Sequence, residues 1–380
     1  MNRTPAPVRS SALVLYLVLP LSLVALAALS GCGSGSHSDG GPPLKPPLAP
    51  GAPGAWQDLG LSDGFVEVEA LTTWNGSLIA GGSFSGVQGS PSTKLASWNG
   101  IAWTRLGPDF GGAVRALTVW NGKLIAGGAF EYLNGDTVNF VAAWDGSKWS
   151  PLGSGLNRSV SSLAVYGGDL VAGGAFDSAG GVPAAFIARW DGSAWHSLGA
   201  GLGGVPWALT VYHGALIAGG SFGTAGGAPA SGIAAWDGAS WAQVGGGVNG
   251  GINNDPYGTV YALALEGDSL IAAGAFATAG GGAAYHVAKW DGAQWSPLGG
   301  GVGEFSDQYA KAVAMYGDTL VVGGLFPGAV SRWDSPSWHG LSSLDGFVNA
   351  LTEYDGYLVA GGYFPRGAGQ QANGIARWGK

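Results

Sequence analysis

The chain ends in NGIARWGK (373–380), while GAWQDLG (54–60) stands near its start as half of a related phrase. Six times in between, the sequence runs straight through a longer form such as IARWDGSAWHSLG (187–199). The last copy stops after its first tryptophan, and the missing half sits at the opposite end of the repeat array. A repeat split between the two ends of a chain is what a closed ring of repeats requires, because the last unit is then completed by the first strand.

Two columns define the repeat. L-[IV]-[AV]-[AG]-G-x-F begins at Leu78, Leu124, Leu170, Leu216, Leu270, Leu320 and Leu358. W-[DN]-x-x-x-W begins at Trp98, Trp144, Trp190, Trp236, Trp290 and Trp333, and its seventh start is Trp378, with Trp56 as the missing partner. Together the paired positions take 14 of the 17 tryptophans. Each unit reads as four short strands, for example VRALTVW (114–120), LIAGGAF (124–130), FVAAW (140–144) and KWSPLG (148–153). Asn121-Gly122, Asp355-Gly356 and Asp145-Gly146 supply residues that tolerate φ > 0 in tight hairpins. The fold expected is all-β: a seven-bladed β-propeller over residues 56–380, made of four-stranded antiparallel blades and closed by Trp56–Gly60 joining the last blade. The tryptophan columns are expected to pack between neighbouring blades.

Composition supports a packed body. Glycine contributes 73 of 380 residues and only 11% of the chain is charged, but 46% is apolar, enough for a core. Residues 1–31 are read separately. Arg3 and Arg9 precede the apolar run SALVLYLVLPLSLVALAALS (11–30), the order of a secretory signal. Leu29-Ser30-Gly31-Cys32 resembles the lipobox of bacterial lipoproteins. That resemblance implies cleavage before Cys32, lipidation of Cys32 and a membrane anchor in the cell envelope, at the outer membrane or cell surface. Cys32 is the sole cysteine, so no internal disulfide is expected. Residues 33–55 are Gly/Ser- and then Pro-rich and read, with Cys32, as a tether over 32–55. Without 1–31 the chain keeps 14 basic against 24 acidic residues, a net −10, which argues against nucleic acid as a partner. The expectation is a monomer.

The strand-two Gly-Gly, the aromatic after it, and the Trp and Leu of strand four resemble the kelch repeat. The wording AGGAF…AGG.PA…IARWDG..W..LG is similar to a kelch-like group of bacterial surface and secreted proteins and fungal cortical polarity markers. The resemblance implies a propeller with a binding or scaffolding role, and no reaction. The turn between the paired tryptophans is shorter here than in most kelch repeats.

Strands alternate direction, so the one–two and three–four turns share one face and the two–three and four–one loops share the other. Irregularity falls on the second face. Six units keep one spacing from the strand-two Phe to the strand-three Trp, that of Phe130 and Trp144; the sixth, Phe326 to Trp333, has half of it. The stretch from the strand-four Trp to the next strand-two Leu is nearly constant in five units, as from Trp195 to Leu216. It is longer from Trp241 to Leu270 and from Trp295 to Leu320. The inserts VNGGINNDPYGTV (248–260) and GEFSDQYAK (303–311) carry Asn253, Asn254, Asp255, Tyr257, Glu304, Asp307 and Tyr309. They read either as drift in exposed loops or as one side of a ligand pocket. One further column differs in every copy: Glu69, Arg115, Ser161, Trp207, Tyr261, Lys311 and Asn349. It lies where the innermost strand begins and is expected to ring the channel entrance, either as solvated rim residues or as a binding site.

The five histidines show no metal-ligand spacing, and no cofactor or metal is expected. Galactose oxidase shares the kelch architecture, but its thioether-linked tyrosine needs a cysteine that position 32 has already used. The two G-x-G-x-x-G matches, at 199–204 and 245–250, lie in loops with no following helix. Glu304 with Asp307 or Asp255 leaves open a calcium site or an acid/base pair. The leading expectation is a non-catalytic module that binds protein or glycan. A carbohydrate-active enzyme and a purely structural surface protein are the alternatives.

Overall fold

The computed structural model describes residues 54–61, 64–87, 90–91, 94–251, 257–303, 307–367 and 370–379. The signal, Cys32 and the tether up to residue 53 lie outside the described residues, as do Asn253, Asn254, Asp255 and Glu304.

The second repeat illustrates why these residues form sheets. Val114–Trp120 reaches the turn Asn121-Gly122, where φ is 48° and 73°, and returns as Lys123–Gly128. Positive φ at both central residues matches the right-handed twist of the paired strands. Val141–Trp144 pairs on the other side of Lys123–Gly128, and Trp149–Pro151 forms the outer edge. The second strand is buried along nearly its whole length, since it is covered on both faces and paired on both edges. Among the described residues the four-stranded arrangement occurs seven times, and no helix is present. The sheet made by Phe347–Tyr354, Tyr357–Tyr363 and Ile375–Trp378 takes Trp56–Asp58 as its fourth strand, with Trp56 opposite Trp378. First strands of successive sheets lie side by side, and the first strand of the last sheet lies against that of the first.

The Gly-Gly pair has two separate causes. A Cβ on the first glycine would strike a residue of the next sheet: Gly127 faces Val160 Cγ1 at 2.5 Å, Gly219 faces Val260 Cγ1 at 2.5 Å, and Gly361 faces Val68 Cγ1 at 2.5 Å. Where the fifth copy reads Ala273 instead, the facing residue is Ala310 rather than valine, and both are fully buried in one cluster. Volume is thus conserved across the seam. A Cβ on the second glycine would strike the backbone of its own first strand, 2.0 Å from Ala113 O for Gly128 and 2.1 Å from Glu67 O for Gly82. That position is glycine in all seven copies.

The tryptophan columns do more than fill the space between sheets. The two tryptophans of one hairpin are direct cross-strand partners, Trp190 with Trp195 at 5.4 Å between ring centroids. In the six unsplit pairs the second then donates its indole N–H to the preceding sheet, as in Trp195 Nε1 to Leu152 O at 2.8 Å, Trp103 Nε1 to Leu59 O at 2.9 Å and Trp338 Nε1 to Leu298 O at 2.9 Å, while Trp56 Nε1 has no partner among the described residues. At the other end of the sheets, aromatic residues that close the first strand reach the next one–two turn. Trp120 Nε1 donates to Gly168 O at 2.8 Å, and Tyr354 OH donates to Gly76 O at 3.1 Å, from the last sheet to the first.

Two expectations need correction. The Asp-Gly hairpins between strands three and four do not use positive φ at both residues; only the glycine does, at 104° for Gly146, whereas Asp355-Gly356 between strands one and two has 51° and 72°. Asp145 is needed as an acceptor: its Oδ1 takes the N–H groups of Ser147 at 2.8 Å and Lys148 at 2.9 Å. The common, longer link between strands two and three is not a plain loop. It holds a two-stranded ribbon, such as Ser178–Ala179 with Val182–Pro183, turning at Gly180 and Gly181 with φ of 61° and 82°. Sheet six, with its shortened link, has none among the described residues.

The hairpin aspartates make acid sensitivity predictable. Accepted N–H bonds, that of Lys148 first, hold the Asp145 carboxyl down at about 2. Backbone N–H bonds lower Asp191, Asp237 and Asp291 in the same way. An unfolded aspartate titrates near ~3.9, so the folded state binds fewer protons. This stabilisation is complete above pH ~4 and is lost as pH falls from there toward ~2. Asn99 already makes the same two bonds without a titrating group, to Ile101 N and Ala102 N at 2.9 Å. Asp145→Asn is therefore expected to keep stability at neutral pH and to reduce the slope of unfolding free energy against pH in that acid window. Urea denaturation across the window reads it, and an unchanged slope would remove the aspartate from the account.

Candidate functional site

Every first strand carries a β-bulge at the same place. The register of the first against the second strand skips one residue between Val68 and Ala70, Val114 and Ala116, and Val160 and Ser162. It skips again between Pro206 and Ala208, Val260 and Ala262, Ala310 and Ala312, and Val348 and Ala350. The skipped residues are Glu69, Arg115, Ser161, Trp207, Tyr261, Lys311 and Asn349. A bulge leaves its extra residue outside the ladder and re-aims its side chain. Here all seven side chains line one cavity of about 300 Å³. Its geometry follows from the second glycine of each Gly-Gly pair, which gives the bulged backbone room to approach.

The lining is chemically divided. Arg115 Nε lies 3.4 Å from Glu69 Oε2, and Ser83 Oγ donates to Glu69 Oε1 at 3.3 Å. Burial raises the Glu69 carboxyl above the usual carboxylate range, with Arg115 opposing it. Burial lowers the Lys311 ammonium, with Glu69 and Glu67 opposing it. Lys311 Nζ also stands over the Phe347 ring at 5.9 Å. Asn349 Nδ2 donates to Val68 O at 3.2 Å and Glu67 Oε1 at 3.3 Å, while its buried Oδ1 has no partner among the described residues.

The other side is aromatic. Trp207 and Tyr261 lie 6.2 Å apart, and Tyr261 and Tyr309 lie 5.4 Å apart. Trp207 is 38% exposed, and its ring is fixed by a bond from Nε1 to Ser221 Oγ at 3.1 Å, itself 2.9 Å from Thr259 Oγ1. Burial, and then Glu67, raise the Tyr309 hydroxyl. Ser161 Oγ is turned to Pro206 O at 2.7 Å.

The insert residues behave differently. Tyr257 is exposed, but its ring covers Gly223, where a Cβ would come within 2.7 Å of Cζ; it does not line the cavity. Asp307 is exposed and also stands outside the lining. Tyr309 also stands outside the lining and reaches the site only as a ring packed on Tyr261. Sequence reasoning missed Glu67, Phe347, Ser221 and Thr259; the Glu67-Val68-Glu69 alternation was the available signal for the first. Among the described residues, no group of three or more His, Cys, Asp or Glu side chains is placed to hold a metal. No helix among them is long and apolar enough to cross a membrane; the apolar run 11–30 lies outside them.

No family model matches the chain, and no curated protein matches it. Solved structures do. One is the extracellular domain of the putative hybrid two-component system BT4673 of B. thetaiotaomicron, at TM-score 0.59 and 9% identity over 85% of this chain. This chain spans only 39% of that protein's length. The WD40 β-propeller domain of Doa1 matches at TM-score 0.53 and 12% identity, over 85% of this chain and 94% of its own. U3-55K matches at TM-score 0.54 and 14% identity, over 83% of this chain and 96% of its own. The fold is that of a β-propeller.

Proposed function

We propose that the chain is a lipid-anchored protein of the bacterial cell envelope whose seven-bladed propeller, closed by Trp56–Asp58, binds a protein or glycan ligand at the mouth lined by the bulge residues. The signal 1–31 is removed, Cys32 carries the anchor, and 33–55 holds the propeller away from the outer membrane or cell surface. Closure is supported by the pairing of Trp56 with Trp378 and by the Tyr354–Gly76 bond.

The single observation that carries the binding reading is the convergence of seven dissimilar side chains, from a repeated backbone device, into one cavity. A scaffold that keeps the bulge in every blade while placing charge, aromatic ring and amide at its tip is organised for recognition. The test is a glycan array and a pull-down from envelope extract. Both use the whole chain and a Trp207→Ala/Arg115→Ala variant. Binding is expected for the first and at least tenfold weaker for the second; equal binding by both removes the mouth as the site.

One observation favours the enzyme alternative: the raised Glu69 carboxyl suits a proton donor. Binding is preferred because glycoside hydrolysis calls for two carboxylates facing the cavity, and Glu69 is the one acid among the described lining residues, Glu67 standing behind them with Asn349 Nδ2 on its carboxylate. Release of nitrophenol from aryl glycosides, abolished in Glu69→Gln, would reverse the preference.

A further inference from the structure

We infer that the mouth takes the neutral pyranose end of a glycan, its C–H face on Trp207 and its hydroxyls between Glu69, Asn349, Arg115 and Lys311. This rests on the reading of the mouth as a binding site and adds the ligand's class.

The argument is one of donors and acceptors. Glu69, when ionised, only accepts hydrogen bonds, and the buried Asn349 Oδ1 lacks a donor among the described residues. Arg115 and Lys311 only donate. An anionic ligand satisfies the second pair and brings no donor to the first, where the Glu69 carboxylate keeps lone pairs beyond those taken by Ser83 and Arg115; a cation does the reverse. A hydroxyl group donates and accepts, so a ring bearing several neighbouring hydroxyls serves both pairs together. Asn349 lines the cavity, but its Oδ1 has almost no accessible surface, so the acceptor that a ligand meets is the Glu69 carboxylate.

The aromatic side fits the same ligand. Trp207 has its indole N–H engaged by Ser221, which leaves the ring face as what it offers the cavity. Tyr261 stands beside it at 6.2 Å. A pyranose presents one apolar C–H face and a rim of hydroxyls, matching an aromatic wall set beside polar groups. The volume of about 300 Å³ lies at the small end of ligand sites, ~300–1,000 Å³. It suits the end of a chain rather than a threaded polymer.

The experiment titrates the detergent-purified full chain by calorimetry with the methyl pyranosides of glucose, galactose and mannose, and separately with glucuronate. Saturable binding of at least one neutral pyranoside is expected. Trp207→Ala and Glu69→Gln should each weaken it about tenfold or more. Trp207→Phe, which keeps a ring face, should lose less. Thermal unfolding checks that the variants are folded, and Glu69→Asp replaces Glu69→Gln if that variant is not. Binding of glucuronate alone would overturn the neutral-sugar class while keeping the mouth as a site. No binding of any of the four, with mouth-dependent capture of a protein from extract, would also overturn it. Absence of any mouth-dependent binding would overturn this inference and the site together.

Discussion

Gly127→Ala is expected to lower the unfolding free energy by about 1–3 kcal/mol, the usual cost of overfilling a packed core. The added methyl would stand 2.5 Å from Val160 Cγ1 of the next sheet, and both residues are held by sheet hydrogen bonding. Val160→Ala alone also costs, because it leaves a void. Together the two substitutions reproduce the Ala273–Ala310 pairing found at the fifth seam. The double variant should therefore be more stable than the sum of the single losses predicts, by ~1 kcal/mol or more. Four proteins in a urea denaturation cycle decide it, and strict additivity would show that the glycine is not there for the valine. Gly128→Ala is the control with the larger loss. Its methyl would meet Ala113 O at 2.0 Å and Val114 Cα at 3.0 Å, which no side-chain change relieves. We expect a loss above ~3 kcal/mol or no folded protein, with no rescue by Val160→Ala.

Trp56→Ala is expected to cost about 3–5 kcal/mol, as for a buried tryptophan of any core. The residue is 4% exposed and shares a buried cluster with Leu344, Phe364 and Ala372 of the last repeat, which the opposite end of the chain supplies. A terminal strand that merely lay on the surface would give under ~1 kcal/mol. The same measurement with Trp378→Ala, and with both, should show coupling, since the two are direct cross-strand partners. Early cleavage of the last sheet by protease in Trp56→Ala would accompany the loss. Chemical denaturation showing a small, uncoupled effect would disprove closure through this strand.

Several of these features are legible in the sequence because the repeat compares the chain with itself. Leu-x-x-x-Gly and the paired tryptophans recur since each blade solves one packing problem, so the solution is written seven times. The variable column stands out for the opposite reason: the bulge residues point into one shared cavity rather than into a seam repeated from sheet to sheet, so no recurring neighbour fixes their type. Other features are hidden. Asp145 looks like a turn residue, but its use as an acceptor depends on where Ser147 and Lys148 place their N–H groups. The Tyr257 insert looks like part of the site, yet its ring is drawn to the flat surface that Gly223 provides.

The amino-acid sequence alone determined the number of repeats, the four strands of each, the split last unit and the seven positions at the channel mouth. These depend on period, turn chemistry and hydrophobic pattern, which are local and survive in one dimension. Tertiary structure alone decided that the variable residues are bulge residues and that Glu69 and Arg115 meet as neighbours across a seam. It also decided that the first glycine answers to the next sheet and the second to its own. Those relations join atoms a whole repeat apart, or the two ends of the chain, and contact at that separation is created only when folding brings the sheets together.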